Sequence, residues 1–134
     1  MALAGLMQTL SIEGMKHDIR VNCLAPTAAT RMTEGLMPQA VLDALQPQAV
    51  SPAMLVMASE DAPNRTIICA GAGSFEVAHI TLTQGVHLGT GTDVPERLLQ
   101  ALAQMHDRTG ETVPKSGSEQ GTLEVGKAMK AHGH

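Results

Sequence analysis

The residues best placed to do chemistry lie between Ile19 and Met32, IRVNCLAPTAATRM. The stretch reads as a strand, Ile19 to Ala25, closed by Pro26 and followed by a loop of small residues, Thr27-Ala28-Ala29-Thr30. Proline ends a ladder because it has no N–H to give. A loop without bulky side chains lets a ligand approach the backbone closely. In an open α/β sheet, ligand sites lie beyond the carboxyl ends of the strands. Thr30 is the side chain most suited to a ligand, through its hydroxyl. The same hydroxyl suits the N-cap of the turn that follows, and the two roles are compatible.

Other clusters carry less. Gly71-x-Gly73 invites a dinucleotide-binding reading, but Glu76 stands where a third glycine is required and a strand follows instead of a helix. A chain reversal fits better. The 6 histidines show neither HxxxH nor HExxH spacing, so no metal site is assigned, although His132 and His134 could chelate adventitiously. Cys23 and Cys69 form no CxxC pair and read as small buried hydrophobes in a reducing compartment. No serine sits in a GxSxG turn. No residue is therefore assigned a catalytic role.

Composition narrows the class. The chain has 134 residues, 43% of them hydrophobic and 16% charged, which is globular material. Its net charge of −4 and its lone aromatic, Phe75, argue against a nucleic-acid surface, which needs clustered cations and stacking rings. The 9 methionines suggest an adaptable core. The start lacks the basic region and cleavage site of a signal peptide. No apolar run approaches the ~20 residues of a membrane span. A cytoplasmic protein is expected, with neither nucleic acid nor membrane as partner.

The elements that must position the loop follow from periodicity. Ala2 to Met15 reads as a helix with Leu3, Leu6, Met7 and Leu10 as one stripe and an opposite side hardly more polar, so it needs a partner on two sides. Nothing caps its first turn, which suggests that the natural helix begins upstream of Met1. Met32 to Leu45 reads as two short helical pieces split at Pro38, and Gln48 to Ser59 as a further helix with Pro52 near its start. Thr66 to Ala70 is a short apolar strand. The helical crossover from Ala25 to Thr66 makes the two strands parallel neighbours. Ser74 to Leu88 reads as a hairpin turning at Gln84-Gly85. Asp93 should cap a helix over Val94 to Met105, Arg108 to Gly121 reads as loop, Thr122 to Ala131 as a last short helix, and the final three residues should fray.

The order of these pieces resembles the short-chain dehydrogenase/reductase family. The residues that carry the likeness are MALAGLMQTLSIEG, VNCLAPTAATRMTE, AVSPAMLVMASEDAP and AGAGSFE, covering roughly residues 1–76. Within the family the likeness is to the (3R)-hydroxyacyl-CoA dehydrogenase unit of peroxisomal multifunctional enzymes type 2 and their bacterial relatives. The implied fold is α/β: the C-terminal part of a doubly wound, Rossmann-like parallel sheet, with two parallel core strands, flanking helices and a C-terminal hairpin and helix extension. The implied division is residues 1–76 for the Rossmann part, 77–107 for the hairpin and helix, and 108–134 for a flexible tail.

The resemblance also implies a cofactor, NAD or NADP, whose nicotinamide end would meet the loop after Pro26. Thr27 and Ala28 would contact it through backbone and Thr30 through its hydroxyl to the carboxamide. The loop is one residue shorter than the common family form. Met32 to Leu45 would be a mobile cover over an acyl-CoA-type substrate, and Arg31 could reach a phosphate of it, although a surface ion pair is the commoner use. The family's glycine-rich phosphate loop, its catalytic serine and its Tyr-x-x-x-Lys are absent here, and the chain has no tyrosine at all. The resemblance thus gives this chain alone little means to hold the cofactor or move a proton. Three readings follow. The chain is a segment of an NAD(P)-dependent oxidoreductase, inactive alone. It is a non-catalytic module that self-associates or docks onto a complete family member through its first helix, which in the family lies in a four-helix dimer interface. Or it is a gene fragment without an independent role.

Overall fold

Ala2 to Gln8 contains helix formers and no β-branched residue, and it folds as the first turns of helix α1, Ala2–Gly14. The structure, a computed structural model, describes residues 1–133. The chain divides into two units, Met1–His79 and Ile80–His134, and each is considered by itself. In the first, α1 passes into a 3-10 turn, Met15–His17, which ends at Asp18 in the left-handed region. Ile19 N–H then donates to Gly14 O at 3.0 Å. The chain folds back so tightly that a Cβ on Gly14 would lie 2.9 Å from the Ile19 carbonyl oxygen.

The buried face of α1 differs from the expected leucine stripe. Ala4, Met7, Ser11 and Gly14 are buried, whereas Leu3 is 74% and Leu6 54% exposed. Small residues let the helix lie close to the strand beneath it, and Cys23 Sγ reaches Leu3 O at 3.6 Å. The second apolar side of α1, for which a partner was expected, has none within the unit.

Strand β1 spans Cys23–Thr27, later than the expected Ile19 to Ala25. The preceding residues are held by one backbone bond, Arg65 N–H to Val21 O at 2.9 Å, and otherwise by side chains. Asn22 Nδ2 donates to Pro63 O at 2.6 Å, Asn22 Oδ1 accepts Thr66 N–H at 3.0 Å, and Asn64 Oδ1 accepts Val21 N–H at 2.8 Å. Pro26 does not end the pairing as expected. It stands opposite Ala70 and the ladder runs on to Thr27–Gly71. The reason is position: Cys23 N–H and Val21 C=O face the β2 side, so by alternation Leu24 and Pro26 point their backbone groups to the free edge, where a missing N–H breaks nothing.

From β1 the chain crosses through a 3-10 turn, Arg31–Thr33, helix α2, Gln39–Ala44, a 3-10 turn, Pro47–Ala49, and helix α3, Ser51–Met57. It returns as β2, Ile67–Gly71, parallel to β1. Leu24, Ile68 and Ala70 face α3 and form the core with Val50, Ala53 and Ala28. Cys23 and Cys69 lie on the other face, at diagonal positions, and both are free thiols.

The hairpin is misplaced in the sequence reading. β2 itself reverses at Ala72-Gly73, both with positive φ, into antiparallel β3, Ser74–Ala78. This is the two-residue turn that favours hairpins, and it bears out the chain reversal expected at Gly71-x-Gly73. The expected pairing of Ser74 to Leu88 on itself is not made. Leu82 instead pairs with Thr112 in the second unit.

That second unit holds α4, Val94–Met105, at its expected bounds, and α5, Ser118–Ala131, four residues longer at its start than expected. Asp93 precedes α4 but gives no side-chain cap; its carboxylate pairs with Arg97 at 3.4 Å instead. Lys127 Nζ on α5 donates to Gln84 O at 2.6 Å. No described residue of this unit is buried. Of the residues expected to fray, His134 lies outside the described residues. Among the described residues, no helix is long and apolar enough to cross a membrane.

Replacing Asn22 by alanine removes partners from Pro63 O and Thr66 N–H at once, and is expected to cost about 1–3 kcal/mol. Gln39→Ala, which loses only an exposed bond to Asp43, should stay within about 0.5 kcal/mol of the parent. Urea unfolding of the two variants side by side checks this; equal midpoints would refute the Asn22 tie.

Candidate functional site

The loop of interest leaves the carboxyl end of β1, where a parallel pair opens toward solvent. Its first residue, Thr27, is still paired, and it sits so close to Gly71 that a Cβ there would fall 2.9 Å from the Thr27 Cβ and carbonyl oxygen. Pro26, Thr27 and Thr30 are exposed. Ala28 is half-buried and packs against Val50, Ala53 and Ala70, which anchors the middle of the loop to the core. Ala29 N–H donates to Leu45 O at 2.7 Å, tying the loop to the end of α2. The structure thus brings all four sequence-assigned residues into one short, double-anchored segment.

Thr30 has extended backbone, φ −137° and ψ 169°, at the N-cap of the turn Arg31–Thr33. Thr33 Oγ1 accepts Thr30 N–H at 2.9 Å and donates to Thr30 O at 2.8 Å. Both bonds run through the Thr33 hydroxyl and use the backbone of Thr30, so neither engages the Thr30 hydroxyl. Thr33, three residues on, went unassigned in the sequence reading although a Thr-x-x-Thr spacing is the signal of a reciprocal cap.

Beside Thr30 lies a cleft of about 370 Å³ walled by Arg31, Glu34, Gln39, Leu42 and Gln46. It is polar and charged, and its far wall is α2. A second cleft of about 290 Å³, between α3 and the hairpin, is apolar, with Ala53, Val56, Ile68, Phe75 and Val77 in its lining. Among the described residues, no three His, Cys, Asp or Glu side chains gather closely enough to hold a metal ion. In the second unit two carboxyl groups are held low by their neighbours. Hydrogen bonds from the Arg108 guanidinium, at 2.7 and 2.8 Å, hold the Glu111 carboxyl below its ordinary value, with a lesser contribution from Thr81. Asp107 is likewise held low, chiefly by the Thr109 backbone N–H. These exposed groups form a local polar knot.

Comparison with known proteins follows the same segment. No protein-family model matches the chain. It is 40% identical over 77 residues, 57% of its length, to a Mycobacterium tuberculosis protein described as a short-chain type dehydrogenase/reductase. It is 32% identical over 120 residues, 89% of its length, to peroxisomal multifunctional enzyme A of Dictyostelium discoideum. Each alignment spans 27% of the relative, so the chain covers about a quarter of those proteins. Among solved structures, full-length peroxisomal multifunctional enzyme type 2 of Drosophila melanogaster superposes with a TM-score of 0.77 over 98% of this chain and 24% of that one, at 24% identity. That likeness establishes the fold: a piece of a mixed, Rossmann-like α/β sheet.

The Thr30–Thr33 pairing can be tested directly. Thr33→Val removes the acceptor of the Thr30 N–H and should cost about 0.5–2 kcal/mol. Amide hydrogen exchange at Thr30 should accelerate while that of β2 scales only with global stability. Unchanged protection at Thr30 would show that the pairing does not order the loop.

Proposed function

We propose that this chain, as a relative of the short-chain dehydrogenases/reductases, supplies the nicotinamide-facing wall of an NAD(P)-dependent oxidoreductase that acts on a 3-hydroxyacyl-CoA or a similar secondary alcohol. The observation that carries the reading is the position of Thr30. It stands on a double-anchored loop at the carboxyl end of a parallel strand, beside a polar cleft. Residues 1–76 carry the Rossmann part on this reading. Thr27 and Ala28 offer backbone groups to the nicotinamide and Thr30 a hydroxyl to the carboxamide. When bound, the dinucleotide supplies the hydride acceptor or donor. What this chain adds is placement of the ring.

The same reading makes the isolated chain inactive. Proton transfer to or from a carbonyl oxygen needs a positioned acid or base, and the chain contains no tyrosine. The purified 134 residues, given a 3-hydroxyacyl-CoA and NAD or NADP, should show no formation of reduced nicotinamide above the blank. Turnover that disappears with Thr30→Val would overturn the inactivity. We also propose a cytoplasmic location; the peroxisomal setting is that of the relatives whose names carry it.

A second reading, a docking module, is favoured by one observation. Leu3, Leu6 and Leu10 present an open apolar side of α1, 74%, 54% and 41% exposed, next to the unpaired edge of β1. Such surfaces seek partners. Self-association should appear in size-exclusion chromatography as a dilution-dependent dimer that Leu6→Glu converts to monomer. A parent chain that is monomeric at all concentrations would remove this reading.

A further inference from the structure

Arg31 is the wall of the Thr30 cleft to which the proposed cofactor contact gives no work. It follows Thr30 directly and lines the same cleft of about 370 Å³. The ordinary use of a surface arginine is an ion pair, yet Arg31 makes none with any carboxylate among the described residues. Three of the other four arginines are committed, while Arg65 holds its Nε buried without a partner. Arg20 donates to the carbonyls of Glu60 and Ala62, Arg97 pairs with Asp93, and Arg108 forks onto Glu111.

The backbone of Arg31 is fixed as the first residue of the turn Arg31–Thr33, which the Thr30–Thr33 pairing holds. Its guanidinium therefore swings from a fixed root beside the Thr30 hydroxyl. A planar fork of N–H donors matches phosphate oxygens two at a time. Glu34 lines the same cleft, so a bare phosphate dianion would meet repulsion as well as attraction. A ligand that carries a hydroxyl donor near its phosphate satisfies both groups.

We propose that Arg31 binds a phosphate group of a hydroxyl-bearing nucleotide ligand seated beside Thr30, a role that rests on the oxidoreductase reading above. Two ligands of that reading carry this chemistry, coenzyme A and the nicotinamide dinucleotide. Both have ribose hydroxyls next to phosphates.

The test is an NMR titration of the isotope-labelled, full 134-residue chain with coenzyme A, NADH and inorganic phosphate in separate arms, a method that detects binding as weak as the millimolar range. The amides of Thr30 and Arg31 should shift with coenzyme A or with NADH, and whichever ligand moves them identifies the source of the phosphate. Arg31→Gln should weaken that binding about tenfold or more, as loss of a charged hydrogen bond does. Arg97→Gln should leave it unchanged, and added salt should weaken the parent's binding. Arg31→Gln binding as tightly as the parent, or inorganic phosphate binding as tightly as the nucleotides, overturns the proposal. If NADH moves Thr30 while Arg31→Gln has no effect, the role of Arg31 fails and the cofactor-wall reading stands. If neither nucleotide moves any amide from 26 to 34, both fall.

Discussion

The parallel pairing of β1 with β2 is the constraint on which the rest of the first unit depends. Five residue pairs, Cys23–Ile67 to Thr27–Gly71, hold together two strands separated by the whole crossover. A parallel pair cannot be closed by a tight turn, so residues 28 to 66 must travel over one face of the sheet. That path puts α3 over Leu24, Ile68 and Ala70. It also brings the end of α2 back to Ala29, where Leu45 O takes its N–H. The loop at the carboxyl end of β1 is thus fixed from below by its own strand and from the side by the crossover. Just before β1, the side chains of Asn22 and Asn64 supplement the backbone bonds of Val21 and Cys23 to Arg65 and Thr66.

Much of this was legible from residue order because the crossover punctuates itself. Pro38, Pro47 and Pro52 mark helix starts where a missing N–H costs little, and each falls beside an observed turn or helix. Three features were not legible. The burial of α1 falls on Ala4, Met7, Ser11 and Gly14 while the leucines stand out, and periodicity alone cannot rank two apolar stripes on one helix. The strand bounds slipped because Asn22 uses its side chain as a strand uses its backbone, which alternation does not reveal. The hairpin was read one strand late because Phe75 to Thr83 alternates throughout, although only Ser74–Ala78 finds a partner in β2. Of the site, the loop and Thr30 were legible. Thr33 was missed although it lies one turn on from Thr30, and the α2 wall of the cleft was not legible, since it meets Thr30 only through the folding of the crossover.

Large apolar side chains stand out within each unit: Leu3, Leu36 and Leu55 in the first and Leu99 in the second are each at least 70% exposed. Only six hydrophobic side chains among the described residues are buried. The chain spans about a quarter of the length of the relatives it matches.

Pro26 shapes the free edge of the sheet beside the site. Its nitrogen faces the free edge of β1, so a strand added there can take backbone bonds at Leu24 but finds no N–H at Pro26. On the opposite edge, β2 stays paired through Thr27–Gly71. A strand at the free edge therefore loses its ladder earlier than β2 does. The gap between the two departures opens beside Thr27 and Ala28, where the side chains are small and the chain is anchored by Ala28 in the core and by Ala29 on α2. Close approach of a flat ligand to backbone needs this combination: a strand end stripped of one donor, small residues after it, and a loop that cannot collapse into the gap. One proline at an edge position supplies the first condition, and the crossover that β1–β2 pairing imposes supplies the last.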